Sequence, residues 1–272
     1  MAMKKRLFAV LFLLVCSVAY ASPLGDIIRN IDAASAKIFN FCTYNIEYKD
    51  GAKKGPEKVA GRYVGNAVFI EYPGSSHLAL TNKHILKCAA ETEDIKGYMP
   101  GENIDGIESF TSTSSLKIKW GSQLLNTALA GMPVNGNQDI DLAILEVKWP
   151  QKSPTHGRMK VLTDETAYDL GNEVIVRGFM PCGEGSLCDD DGWVRRLKFA
   201  RVEGITADKL FVQLNTPGYG GMSGSPVMIL KNNKLYVIGI FSVAYLTSRY
   251  GSVDMSWAVR LKKEYFNKKK KP

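Results

Sequence analysis

Only three histidines, His77, His84 and His156, occur among the 272 residues, so a general base for hydrolytic chemistry has few places to sit. His84 lies in Leu80-Thr81-Asn82-Lys83-His84-Ile85-Leu86, where an apolar run meets a polar turn. A serine hydroxyl is a weak nucleophile at neutral pH and needs such a base beside it, with a further group to orient the base. It also needs backbone N–H groups aimed at the oxyanion that develops. Ser223, in Gly221-Met222-Ser223-Gly224-Ser225-Pro226, has glycines that let the backbone approach a substrate closely. Asp141 opens Asp141-Leu142-Ala143-Ile144-Leu145, a carboxylate entering a buried strand, which is costly unless hydrogen bonds receive it. Serine, histidine and carboxylate of these kinds suit nucleophilic acyl transfer. Asp139 rivals Asp141, and Ser225 rivals Ser223.

The three segments, in the order His, Asp, Ser, resemble the signatures of trypsin-like (chymotrypsin-fold) serine proteases. Leu-Thr-Asn-Lys-His and Gly-x-Ser-Gly-Ser-Pro are similar to the bacterial glutamyl endopeptidases, and Asp-Leu-Ala-Ile-Leu to the bacterial high-temperature-requirement proteases. The resemblance spans about residues 36 to 260 and favours Asp141, which directly precedes the Leu-Ala-Ile-Leu run. It also favours Ser223, which has Gly221 two residues before it. It implies an all-β fold of two packed antiparallel β-barrels with a short C-terminal helix. His84 and Asp141 would stand on the first barrel and Ser223 on the second, with the N–H groups of Gly221 and Ser223 forming an oxyanion hole. It implies protein or peptide substrates and no metal or organic cofactor. The rival is the same fold kept as an inactive binding module, which would predict a lost triad member or a filled oxyanion site.

Departures from the family pattern matter too. Met222 stands where trypsin has the aspartate that pairs with a freed N-terminus, so a digestive zymogen switch is not expected. Pro217 replaces the pocket-floor aspartate of trypsin, and Phe241 the pocket histidine of the glutamyl endopeptidases. A specificity pocket edged by Pro217, Gly218, Phe241, Val243 and Ala244 would be apolar, and cleavage after medium apolar residues is the expectation.

The elements that must hold these residues are legible as short β-like runs between turn residues. They are Ile38–Tyr48, Tyr63–Tyr72, Leu78–Thr81, Leu116–Trp120, Leu142–Val147, Val174–Phe179, Leu197–Val202 and Leu210–Leu214. Pro226–Leu230 and Leu235–Ser242 follow, joined by Lys-Asn-Asn-Lys as a hairpin. Leu24, Ile27, Ile28 and Ile31 recur at helical spacing, as a short helix or propeptide segment over 22–36 would. Trp149–Gly157, with two prolines, reads as the linker between a first barrel at 37–149 and a second at 158–260. Trp257–Phe266 reads as a C-terminal helix.

Residues 1–21 read as a signal peptide, with Lys4, Lys5 and Arg6 ahead of an apolar run and Ala19-Tyr20-Ala21 at its end. Their removal takes three positive charges and no acids, lowering the net charge from +8 to +5. A secreted or periplasmic location follows, and no later segment is apolar enough to span a membrane. Cys42, Cys88, Cys182 and Cys188 allow three pairings, of which chain order suggests Cys42–Cys88 and Cys182–Cys188. Much of the positive surplus sits in the basic tail at 261–272, a solvated end or a weak contact for an anionic surface. Nucleic acid is not expected as a partner, and the sequence specifies no oligomeric state. The Asp189-Asp190-Asp191 run reads as a solvated loop, with calcium as its alternative ligand.

Overall fold

The computed structural model describes residues 23–50, 58–72, 75–88, 106–135, 138–149, 157–183, 188–242 and 255–266. The leader, most of the linker, His156, Val243, Ala244 and the last six residues lie outside them.

A single α-helix, α1 (Pro23–Ala34), opens the described chain, with Asp26 in its first turn, where a carboxylate suits the helix dipole. Ile27 and Ile31, one turn apart, share a face; Ile31 is fully buried and Ile27 packs beside it. The helix reaches both halves of the molecule. Trp120 donates its indole N–H to the Ala33 carbonyl at 2.7 Å, and Asp32 receives Arg177 and Arg195. Within the 22–36 segment expected as a helix or propeptide, Pro23–Ala34 is helical and joined to the body, and Ser35 and Ala36 already belong to the first strand.

The strands are β1 (Ser35–Tyr48), β2 (Lys58–Tyr72), β3 (Ser75–Thr81), β4 (Ile107–Trp120), β5 (Gln123–Gly131), β6 (Val134–Asn135), β7 (Gln138–Asp139) and β8 (Ala143–Lys148). They continue as β9 (Met159–Val161), β10 (Glu173–Pro181), β11 (Trp193–Ile205), β12 (Phe211–Leu214), β13 (Pro226–Lys231), β14 (Lys234–Ser242) and β15 (Ser256–Arg260). β6 and β7 make a small separate hairpin. The others form one sheet in the order β1-β4-β5-β8-β3-β2-β9-β14-β13-β10-β11-β12-β15. Pairing of β1 with β2 closes the first six strands into a barrel, and pairing of β14 with β15 closes the last six into another. Closure removes the exposed edges that an open sheet would leave. β9 lies parallel to both β2 and β14 and stitches the barrels together.

Three apolar layers follow from strand alternation. Ile38, Ala67, Phe69 and Leu145 fill the first barrel, and Val176, Val202, Ile238 and Phe241 the second. Between them lies a seam of Val68, Ile70, Leu80, Ile140, Leu142, Met228, Val237 and Ile240, together with Ile31 of α1. On β2 the residues alternate cleanly between barrel and seam. On β14 the alternation changes phase, because the register with β13 shifts between Val227 and Met228. The bulge puts Ile238 and Phe241 in the barrel, and Val237 and Ile240 in the seam. Ser242 thereby falls on the seam side.

The expected hairpin forms with Asn232 and Asn233 at φ 51° and 56°, the left-handed pair that a two-residue turn requires and asparagine tolerates. The expected C-terminal helix is corrected. Ser256–Arg260 is a strand whose backbone is paired on both sides, with β12 and β14, and only Lys263–Phe266 coils, as one 3-10 turn. The strand is what closes the second barrel, a tertiary requirement that outweighs local pattern.

Cys42–Cys88 and Cys182–Cys188 are disulfides, with Cα–Cα distances of 5.7 Å and 6.0 Å. The first ties β1 to the segment just after the His84 turn across 46 residues. By loop-closure entropy, replacing both of its cysteines with alanine should lower stability by about 4 kcal/mol. Denaturant unfolding checks this; an unchanged midpoint would mean that the loop is held without the bridge.

Candidate active site

His84 sits on a 3-10 turn, Lys83–Leu86, immediately after β3. Asp141 stands at a tight turn ahead of β8, in which the Leu142 N–H reaches the Ile140 carbonyl at 2.8 Å. Ile140 and Leu142 are both fully buried in the seam, so the apolar neighbours fix the turn and leave the carboxylate facing β3. Its Oδ1 accepts the His84 backbone N–H at 2.9 Å, and its Oδ2 lies 2.8 Å from the His84 ring nitrogen Nδ1. Ser242 donates its hydroxyl to the same Oδ2 at 2.6 Å. The Asp141 side chain is only 5% exposed, against 32% for His84. Three donors thus receive a buried carboxylate that would otherwise be prohibitively costly. The carboxylate in turn holds one nitrogen of an imidazole whose side chain stays partly exposed. Asn82 braces the turn by donating to the Asp141 carbonyl at 2.9 Å.

Ser223 arrives from the second barrel, on the loop between β12 and β13. Gly221 and Gly224 flank it at φ 88° and 87°, a region that favours glycine. A side chain on Gly224 would lie 1.9 Å from the Asn66 carbonyl and 2.8 Å from the Thr81 hydroxyl, so the loop touches β2 and the end of β3. Gly65 shows the same closeness, since a Cβ there would meet Ile85 at 2.2 Å and the Ser223 carbonyl at 3.0 Å. The His84 turn and the Ser223 backbone therefore converge on one glycine of β2. Among the described residues, the N–H groups of Gly221 and Ser223 are given to no other group. Met222, between them, is fully buried in the second barrel core and anchors the loop by apolar contact.

The two rivals fare differently. Ser225 has no exposed surface, and its hydroxyl is pressed so closely on Gly178 that a Cβ there would lie 1.8 Å away. Asp139 is in β7, and its side chain lies outside the description.

Of the expected specificity residues, Pro217 and Gly218 border the loop and are partly exposed. Phe241 is fully buried in the second barrel core and offers no open face. A cation stands here that the sequence reading did not include. Lys198 of β11 donates to the Pro217 carbonyl at 2.6 Å and lies 4.1 Å from the centre of the Tyr219 ring. Loss of solvent holds its ammonium below the ordinary lysine range. Among the described residues no carboxylate pairs with it.

The acidic run after Cys188 is engaged by lysines. Asp189 receives Lys37 at 2.8 Å, and Asp191 receives Lys37 and, at 2.6 Å, Lys119. The bonds from Lys119 and Lys37 hold the Asp191 carboxyl down at about 2. Both lysines come from the first barrel, so the loop latches the barrels together. Trp193, just beyond it, packs where a side chain on Gly221 would go. A groove of about 650 Å³, lined by Lys37, Lys119, Phe179, Trp193 and Arg195, adjoins the Ser223 loop through that tryptophan.

Besides Lys198, two residues of the site were not singled out from sequence. Ser242 ends an apolar run in Gly239-Ile240-Phe241-Ser242, and Asn66 interrupts one in Val64-Gly65-Asn66-Ala67-Val68. A polar residue inside an apolar strand was the available signal for both, because burial demands a partner.

Residues 65–240 match the family model described as a trypsin-like peptidase domain. No curated protein matches the chain. Among solved structures, the chain is similar to the thermostable serine protease AL20 from an extremophilic microorganism. The two are 10% identical with a TM-score of 0.51, over 86% of this chain and 93% of that one. It is also similar to the protease Anisep from Arthrobacter nicotinovorans (14% identity, TM-score 0.49, 84% of this chain and 90% of that one). A further likeness is to tobacco etch virus protease with bound product (11% identity, TM-score 0.45, 87% of this chain and 76% of that one). At such identity the likeness to AL20 concerns the two-barrel, chymotrypsin-like fold alone.

Proposed function

The chain belongs to the trypsin-like peptidase family, and from that premise we propose that it is an exported serine endopeptidase with Ser223, His84 and Asp141 as its triad. The observation that carries this reading is the two-point grip of Asp141 on His84, through backbone N–H and ring Nδ1 together. A carboxylate so placed selects the tautomer with its proton on Nδ1 and frees Nε2 to act as a base. The Ser223 hydroxyl gives its proton to Nε2 as its oxygen attacks a peptide carbonyl. The Gly221 and Ser223 N–H groups receive the oxyanion. His84 then protonates the leaving amine, and water enters by the same route in reverse to hydrolyse the acyl-enzyme. Every step uses side chains and backbone of this chain. Two disulfides support passage to an oxidising compartment, and no helix among the described residues is long and apolar enough to cross a membrane.

The Lys198 ammonium changes the expected selectivity. With proline rather than a carboxylate at 217, and the Lys198 ammonium on the Pro217 carbonyl with no carboxylate partner among the described residues, a substrate arginine or lysine would meet a like charge there. Burying it without a partner would cost several kcal/mol, on the order of a broken buried ion pair. Digestion of a diverse peptide library, with the cut sites sequenced, should give internal cleavage with arginine and lysine absent before the scissile bond. A profile dominated by those two residues, or no cleavage at all, would contradict the reading.

A further inference from the structure

Asn66 is a polar residue in the middle of β2, with only 1% of its surface exposed. Among the described residues, its side chain makes no hydrogen bond to its own barrel. The amide nitrogen donates to the Gly221 carbonyl at 2.7 Å and the Phe179 carbonyl at 3.0 Å, with a longer 3.4 Å approach to the Ser223 carbonyl. The amide oxygen accepts the Phe179 N–H at 2.6 Å. That last bond fixes which way the amide faces, since only its oxygen can take the N–H and only its nitrogen can serve the carbonyls. The backbone adds a second hold: the Asn66 N–H donates to the Ser223 carbonyl at 2.8 Å, and its carbonyl accepts the Thr81 hydroxyl at 2.7 Å.

The consequence concerns a loop that glycine makes soft. Gly220 and Gly221 precede Met222, and Gly221 is at φ 88°, where rotation of the neighbouring peptides meets little steric resistance. Met222 anchors its side chain in the apolar core and has no polar group to orient a peptide. The carbonyls of Gly221 and Ser223, on either side of Met222, both end at Asn66. Rotating the 221–222 peptide would bury a carbonyl without a donor, which is unfavourable. One residue of the first barrel thus secures the peptides that flank the Ser223 N–H. We infer that Asn66 is a positioning residue for the oxyanion site, setting the loop that presents the Gly221 and Ser223 N–H groups. This rests on the reading of Ser223 as nucleophile.

The test compares wild type, Asn66→Ala and Asn66→Asp in their rate of covalent labelling by a small fluorophosphonate, well below the melting transition. There a loss of stability alone leaves the folded fraction, and therefore the labelling rate, unchanged. Asn66→Asp keeps the oxygen that serves Phe179 but turns a second oxygen toward the three carbonyls. Loss of a direct oxyanion donor lowers turnover by about 10² to 10³. A positioning residue should cost less, roughly ten- to a hundredfold for Asn66→Ala and at least as much for Asn66→Asp. Cleavage of a library-selected peptide should lose kcat to the same extent, with KM within about twofold because ground-state binding is untouched. A folded variant that labels at the wild-type rate would overturn the inference while leaving Ser223 as nucleophile. Failure of both variants to fold would assign Asn66 to the scaffold and overturn it too. Absence of label from wild-type Ser223 would sink the inference together with the functional reading beneath it.

Discussion

Ser223→Ala should leave the protein folded and lower its turnover of peptide substrates by roughly 10⁵- to 10⁶-fold, the loss that follows removal of a triad nucleophile. Folding should survive because the loop is held by groups that the substitution does not touch. The Ser223 carbonyl still accepts the Asn66 N–H, Met222 remains in the core, and the Gly224 N–H still reaches the Phe241 carbonyl at 2.9 Å. Among the described residues, the hydroxyl itself is not one of the groups that hold the loop. Peptide cleavage and a thermal melt on the same preparation separate the two effects. Unchanged cleavage would remove Ser223 from the chemistry, and a collapsed melt would make the loss of activity uninformative about mechanism.

Asp141→Asn should cost about 10⁴-fold in kcat. The Asp141 carboxylate accepts from three donors, the His84 backbone N–H, the His84 ring and the Ser242 hydroxyl. An amide has one accepting oxygen and one donating nitrogen. With its oxygen kept for the backbone N–H, its nitrogen faces His84 Nδ1 and Ser242. It would then favour the imidazole tautomer whose proton sits on the far nitrogen, where Ser223 needs a base. The ring stays in place and its basicity is misdirected. A drop in kcat with an unaltered melt is the expected pairing, measured on the peptide that the library selects. A variant within tenfold of wild type would show that Asp141 merely supports the turn.

The three segments bearing His84, Asp141 and Ser223 were legible because each carries its signal within a few consecutive residues. The Asn-Asn hairpin was legible for the same reason, since left-handed backbone is a local demand. Ser242 and Asn66 were not singled out, because their meaning lies in partners 101 and 155 residues away. The phase change on β14 that turns Ser242 toward Asp141 depends on pairing with β13, which no window along the chain reveals. The 256–260 stretch was misread for a related reason, as its strand state comes from two neighbours and not from its own pattern. Lys198 sits in an ordinary alternating strand, and nothing local distinguishes it from a solvated lysine. The acid run at 189–191 suggested solvent or a cation from its composition, and two lysines of the other barrel fill that role.

The most direct measurement is mass-spectrometric mapping of the adduct left by a small fluorophosphonate on the native, disulfide-bonded protein. One adduct per molecule on the Ser223 hydroxyl, with loss of peptide cleavage in proportion, is the result this account predicts. An adduct on Ser225, or full peptide cleavage by protein carrying no adduct, would contradict it.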